Sequence, residues 1–225
     1  MTVPIRPAAT VIIVRDALLN GARTLEVLLV QRASELAFHG GAWVFPGGGV
    51  DAEDRHAGDE LTAARRAAVR ETQEEAGIAL STELLTPFSH WTTPEERSRR
   101  FATWFFLAEI EPHLACVVDG SEICAHRWYQ PDQALAARER GEIDLPPPTY
   151  VTLSVLARCT SAADALALAR AGQPPVFLPR PRPIEGGLVS LFPGDAAYAG
   201  GSLEQPGPRH RLWMLESGYR YEQGD

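Results

Sequence analysis

The stretch Arg70-Glu71-Thr72-Gln73-Glu74-Glu75-Ala76-Gly77 constrains this chain more than any other. If Leu61 to Ala76 is helical, Glu71, Glu74 and Glu75 stand at i, i+3 and i+4, within an arc of roughly 100°. Like charges at that spacing repel and weaken a helix, so the pattern predicts a cation in front of the face. Mg²⁺ or Mn²⁺ suits it, because these ions take carboxylate and carbonyl oxygens and keep waters for chemistry. The bland alternative is a solvated Glu-rich surface. Against it, Arg70 lies four residues before Glu74 and can bridge to it, and Gly77 stands where a helix C-cap glycine belongs. Ala64 and Ala67 are expected behind the carboxylates, too small to block a ligand, with Leu61, Ala68, Val69, Thr72 and Ala76 on the core side.

The segments before this helix complete a unit. Ala8 to Arg15 and Leu25 to Arg32 are apolar runs separated by Asn20-Gly21, a dipeptide that predicts a hairpin of two antiparallel strands. Ala42 to Phe45 reads as a short strand ended by Pro46 and the glycines Gly47, Gly48 and Gly49. Glycines there let the backbone turn sharply and bring a carbonyl, that of Gly47, towards a metal.

A chain of 225 residues can bury one substantial core and a small appendage. With 45% hydrophobic and 22% charged residues it has the composition of a globular protein. Its apolar runs are too short or interrupted to cross a membrane, and the first residues lack a signal-peptide apolar region. Cys116, Cys124 and Cys159 have no C-x-x-C spacing, which argues against a disulfide framework or zinc site and for a cytoplasmic location. A net charge of −8 argues against nucleic acid as partner. It leaves room for a polyanionic small molecule held by metal and local arginines such as Arg97, Arg99 and Arg100.

Gly48 with Arg70-Glu71-x-x-Glu74-Glu75-x-Gly77-Ile78 resembles the signature box of the Nudix hydrolases, which cleave diphosphate linkages in nucleoside diphosphates joined to another group. Three features depart from that box. Asp54 stands in place of its first Glu, fifteen residues rather than seven separate this acid from Arg70, and Thr72 replaces an aliphatic residue. A lengthened polar loop around Arg55 to Asp59 accounts for the spacing and puts any role for Asp54 in doubt. The resemblance implies an α/β fold, a Nudix-type α-β-α sandwich with a mixed β-sheet. It implies metal ligation by Glu71, Glu74 and Glu75 with Gly47, and catalytic roles for Arg70, Glu71 and Glu74.

Leu28-Leu29-Val30-Gln31-Arg32-Ala33, leading to Gly41 and Phe45-Pro46-Gly47-Gly48, is similar to a segment of the coenzyme A diphosphatases of that family. Val30 replaces a Thr of that pattern and Ala37 its second Arg. His90-Trp91-Thr92-Thr93-Pro94 and Arg100-Phe101-Ala102-Thr103-Trp104-Phe105-Phe106 resemble a segment of the acyl-coenzyme A branch, with Ala102 in place of an Asp. Arg32, Gly48 and Arg100 are thereby implied as substrate contacts, the other reading of Arg32 being a solvated charge at a strand edge. Ser121 to Trp128 reads as a strand, followed by a short helix from Pro131 to Arg140. Glu122 is the best acid outside the box to join the metal cluster or act as base, its other reading being a strand-edge surface Glu.

Pro146-Pro147-Pro148 predicts a stiff, extended boundary between a domain of residues 1–148 and an extension of residues 149–225. In the extension, Tyr150 to Cys159 and Ala162 to Ala171 read as helices. Leu188 to Phe192 and Arg211 to Leu215 are predicted strands beside turns at Glu185-Gly186-Gly187 and Ser217-Gly218. Trp213, Tyr219 and Tyr221 are expected to pack this tail onto the core or a second copy in a homodimer.

The expected activity is Mg²⁺- or Mn²⁺-dependent hydrolysis of a diphosphate bond in coenzyme A, acyl-coenzyme A or a related nucleoside-diphosphate-linked molecule. The alternatives are an ADP-ribose or nucleotide-sugar diphosphatase, and a module that senses a nucleotide without cleaving it.

Overall fold

A turn at Asn20-Gly21, with φ of 51° and 81°, closes the hairpin that forms the spine of the molecule. Only residues tolerant of positive φ can make so tight a connection without splaying the strands. In this computed structural model, which describes residues 3–35, 39–56, 58–118 and 120–224, the hairpin joins β1 (Ile5–Leu19) to β2 (Ala22–Arg32). There follow β3 (Trp43–Val44), β4 (Gly47–Gly49), a 3₁₀ turn (Glu53–Arg55) and α1 (Glu60–Ala76). Next come β5 (Thr86–Thr92), β6 (Arg100–Glu109), β7 (Ile123–Tyr129) and α2 (Pro131–Glu139). The last third holds α3 (Pro147–Leu156), α4 (Ala162–Arg170), β8 (Val176–Phe177), β9 (Arg180–Ile184), β10 (Gly187–Leu191), β11 (Arg209–Leu215) and β12 (Gly218–Gly224). Ala37 and Ala57, read from the sequence as a replaced arginine and part of the lengthened loop, lie outside the described residues.

β1 is the axis of a mixed eight-stranded sheet: it runs parallel to β6 from Ile5↔Arg100 to Val14↔Glu109, and antiparallel to β2 and β4. Its residues alternate between the two faces. Val11 and Ile13 pack with Leu28 and Phe106 under α1, while Ile12 and Val14 pack with Leu29, Phe105 and Leu107 under α2, α3 and α4. The result is the expected α-β-α layering, with a separate four-stranded sheet in order β12-β11-β10-β9. The turns at Gly186 and Gly218 close the two hairpins of that small sheet as the sequence predicted.

Two local expectations need correction. Pro147 and Pro148 open α3 rather than extending the chain, because a helix's first residues have no backbone partner for an N–H and proline's fixed φ suits them. Ala64 and Ala67 do not lie open behind the carboxylates: both are fully buried against the sheet. Alanine there lets the helix approach closely, and a larger residue at Ala67 would cost about 1–3 kcal/mol in overpacking. Leu61 and Val69, by contrast, are only partly buried.

The last third of the chain is built into the same core. β8 adds to β5 in parallel, His90↔Val176 and Trp91↔Phe177, and the rings of Trp91 and Phe177 stack 3.9 Å apart, 2° from parallel. Asp16 of β1 accepts the Ala162 N–H at 2.8 Å, at the start of α4. Tyr219 takes the packing role expected of it: its carbonyl accepts the Tyr150 hydroxyl at 2.9 Å, and the Arg138 guanidinium lies 3.3 Å from its ring centre. No helix among the described residues is long and apolar enough to cross a membrane.

Candidate active site

Asp59 starts α1 by accepting the Thr62 N–H at 2.8 Å, and Gly77 ends it at φ 67°, its N–H donating to the Gln73 carbonyl at 3.1 Å. Between these caps the helix delivers its acids to the glycine strand β4, which is held in place by pairing with Ala8, Ala9 and Thr10 of β1. The Thr10 hydroxyl adds a 2.6 Å hydrogen bond to the Pro46 carbonyl, fixing the turn into the glycines.

Glu75 faces inward and is almost fully buried, accepting the Gly47 N–H at 2.8 Å with Arg32 Nη1 at 3.9 Å from its other oxygen. Burial pushes its carboxyl up to about 7; the Gly47 N–H and Arg32 oppose that rise, whereas the charges of Glu71 and Glu122 add to it. Glu71, half-buried, is also pushed above the ordinary carboxylate range by desolvation, which outweighs its bond to Arg70. A Cβ on Gly48 would stand 2.4 Å from Glu71 Cδ, so that residue must be glycine for Glu71 to lie where it does.

Arg70 is the hub. Its Nη1 reaches Glu71 at 2.8 Å and Glu74 at 3.2 Å, and its Nη2 reaches Asp54 and the Gly49 carbonyl at 3.0 Å each. The cation predicted to face the acids is therefore, for Glu71 and Glu74, partly supplied by the helix itself. Glu74 points outward, 59% exposed. Among the described residues no three acids, histidines or cysteines are grouped tightly enough to form a ready-made cation cage.

The donor set nonetheless fits a hard cation. Glu71 and Glu75 are desolvated carboxylates that repel one another and hold protons above their usual range, so a divalent ion would relieve a cost already present. Glu71, Glu74 and Glu75 are the residues that would hold it. The sequence expectation gave Gly47 a carbonyl contact to metal; the contact present is its N–H to Glu75.

The remaining expected residues divide. Glu122 lies just before β7, exposed, with its charge felt by Glu75 and its carbonyl accepting the Ala33 N–H at 2.8 Å. Arg32 is at the acid cluster. Arg100 is not: it pairs with Ile5, roughly 16 Å along β1 from the Thr10 row that holds Gly47, and its Nε donates to the Thr93 carbonyl at 3.3 Å.

One residue was undervalued. Asp54, whose role the lengthened loop put in doubt, is buried, accepting the Asp51 N–H at 2.9 Å and Arg70 Nη2 at 3.0 Å. The signal was Arg70 itself, a buried-side guanidinium needing more acceptors than Glu71 and Glu74 supply.

The profile of the NUDIX domain matches residues 4–148, which covers the strands, the glycine turn and the acidic helix. The chain belongs to the Nudix family. It is a hydrolase acting on diphosphate bonds, and hydrolases of this family generally use divalent metal ions. It is 28% identical over 225 aligned positions to the Caenorhabditis elegans protein designated nudix hydrolase 7, covering 81% of this chain and 73% of that one. It is 35% identical over 120 positions to the human acyl-coenzyme A diphosphatase NUDT19, over 51% of this chain but 30% of that protein. A NUDIX hydrolase from Alicyclobacillus acidocaldarius superposes with a TM-score of 0.64 at 26% identity, over 75% of this chain and 97% of the other.

Proposed function

We propose that this Nudix hydrolase cleaves the diphosphate of coenzyme A or an acyl-coenzyme A, releasing 3′,5′-ADP and a phosphopantetheine product, with Mg²⁺ or Mn²⁺. The observation that supports metal-assisted hydrolysis is the pair of desolvated carboxylates Glu71 and Glu75 against Gly47 and Gly48. The choice of substrate rests on the likeness to the acyl-coenzyme A diphosphatase together with Arg32, Gly41 and the Phe45-Pro46-Gly47-Gly48 turn.

Glu71, Glu74 and Glu75 would hold the ion. When bound, it supplies charge neutralisation at phosphorus and makes an attacking water more acidic. Arg32, beside Glu75 at the end of β2, is placed to pair with a diphosphate oxygen. Arg70 keeps Glu71 and Glu74 in position by hydrogen bonding and does not touch substrate. Glu122 or Glu74, both exposed to solvent, takes the proton from the attacking water.

Steady-state assays with coenzyme A, acyl-coenzyme A and ADP-ribose, with Mg²⁺, Mn²⁺ or EDTA, test this reading. Turnover should vanish in EDTA, and kcat should fall at least a hundredfold in Glu71→Gln and Glu75→Gln, corresponding to about 2.7 kcal/mol or more. Near wild-type rates in both variants would sink the metal mechanism. Cleavage of ADP-ribose but not of coenzyme A would remove the substrate assignment while keeping the chemistry.

A further inference from the structure

On the face of the sheet opposite α1 there is a cavity of about 360 Å³ lined by Gln31, Gly41, Trp43, Arg138, Glu142 and Asp144, among others. Its size is that of a small-molecule site. Its place follows from strand alternation: Gln31 and Arg32 are consecutive at the end of β2, so when Arg32 reaches Glu75 on one face, Gln31 opens onto the other. The two sites meet around one short connection. Gly41 N–H donates to the Arg32 carbonyl at 3.0 Å and Trp43 N–H to the Asp144 carbonyl at 2.9 Å. His39, in the same connection, feels the charges of both Asp144 and Arg32.

The lining has a particular chemistry. Trp43 offers a partly exposed indole, held edge-on to Tyr129 at 6.0 Å. Gln31 makes only long contacts, 3.3 Å to the Gly41 carbonyl and 3.7 Å from the Cys124 thiol, so its amide keeps donor and acceptor capacity. Glu142 is paired with Arg140 at 2.6 Å, whereas Asp144, which His39 feels only as a nearby charge, makes no side-chain hydrogen bond or ion pair shown among the described residues. Arg138 makes no hydrogen bond or ion pair with any described residue; it is held by the ring of Tyr219, contributed by β12. A flat surface, an amide, a carboxylate and an unpaired guanidinium match an amino-substituted aromatic base carrying a phosphate on its sugar.

We propose that this cavity holds the nucleoside end of the substrate, its base against Trp43, its exocyclic amine on Asp144 and its ribose phosphate on Arg138. The inference deepens the proposed diphosphatase reading, because the other half of the same molecule would pass Arg32 to reach the acids. It also gives the C-terminal sheet a function: through Tyr219, β12 keeps one wall of the substrate site in place.

Titration calorimetry of adenosine 3′,5′-bisphosphate against the full chain in EDTA tests it without metal or turnover. Wild type should bind, and Asp144→Asn and Arg138→Gln should each weaken binding about tenfold. With Mg²⁺, both variants should raise KM for coenzyme A about tenfold with kcat within twofold; if ADP-ribose is what is cleaved, whose adenosine carries no 3′-phosphate, Asp144→Asn alone should do so. KM for a dialkyl diphosphate that lacks a nucleoside should stay unchanged. Absence of binding to wild type, equal binding by both folded variants, or equal loss with the nucleoside-free substrate would each overturn the proposal. The binding arm contains no reaction, so its failure is distinct from a failure to cleave coenzyme A.

Discussion

Arg70 Nη2 and Asp54 Oδ2 lie 3.0 Å apart, joining the middle of the acidic helix to a turn that precedes it by sixteen positions. Through this bond the lengthened loop is tied back onto the helix, and the guanidinium that steadies Glu71 and Glu74 is itself steadied. Asp54→Ala removes a buried acceptor from Arg70 and from the Asp51 N–H. It should destabilise the fold by about 1–3 kcal/mol in urea unfolding. It should also lower Mn²⁺ affinity or kcat/KM at least tenfold, as loss of a ligand-orienting contact does. Wild-type Mn²⁺ affinity in calorimetry would show that Asp54 does not position the acids.

Gly48 and Gly47 should respond differently to the same methyl group. At Gly48 the nearest atoms a Cβ meets are the far end of Glu71, which can swing aside, so Gly48→Ala should keep its Tm within a few degrees and lose most activity. At Gly47 a Cβ would stand 2.3 Å from the Ala9 carbonyl oxygen, in a backbone with φ 154°, so Gly47→Ala should lose stability as well. Thermal melts alongside turnover separate the two outcomes.

The buried acid Glu75 predicts a pH effect on the metal-free protein. Its folded value of about 7 lies above the ordinary 4.5, so the folded state holds this proton more tightly than the unfolded chain does. The associated stability is complete below about 4.5 and is lost as pH rises to about 7, on the order of 3 kcal/mol across that window. Urea midpoints in EDTA should fall from pH 5 to pH 8, and Glu75→Gln should flatten the slope. Parallel curves for the two proteins would contradict the assignment.

Thr72 is fully buried on α1, and its hydroxyl has no hydrogen-bond partner among the described residues. Thr72→Val keeps the shape and removes the unsatisfied oxygen. It should stabilise the protein by about 1 kcal/mol, read as a raised urea midpoint with unchanged KM.

Asp195 and Arg211 form a two-pronged ion pair in the C-terminal sheet, 2.7 Å at each contact and shielded from solvent. Burial alone would raise the Asp195 carboxyl, but the bonds from Arg211 and from the His210 and Ala197 N–H groups hold it below the usual range. Asp195→Ala strands a buried guanidinium and should cost about 3–5 kcal/mol. Replacing both residues by apolar ones should cost less, which a pair of denaturation curves will decide.

What the sequence disclosed was local. Asn20-Gly21 can do little but turn a hairpin, and Gly77 can end α1 because its positive φ is one that other residues resist. The acids were legible because their spacing is a property of one helix. The burial of Ala64 and Ala67 was not, since the carboxylates stand at the margin of the buried stripe and Glu75 is itself inside it. Asp54 escaped because a long insertion hides its partner, and Pro147 and Pro148 because the same residues can stiffen a linker or open a helix. The cavity beside Trp43 is assembled from two segments roughly a hundred positions apart, which no period or motif connects.

The stack of Trp91 on Phe177 has a bearing on synthesis. While the ribosome is still making the final third, a strand edge and an aromatic ring wait uncovered, the kind of flank on which nascent chains adhere to one another. Fusions and shortened versions that stop near residue 148 will inherit that sticky flank permanently, whereas the whole chain conceals it as soon as translation ends.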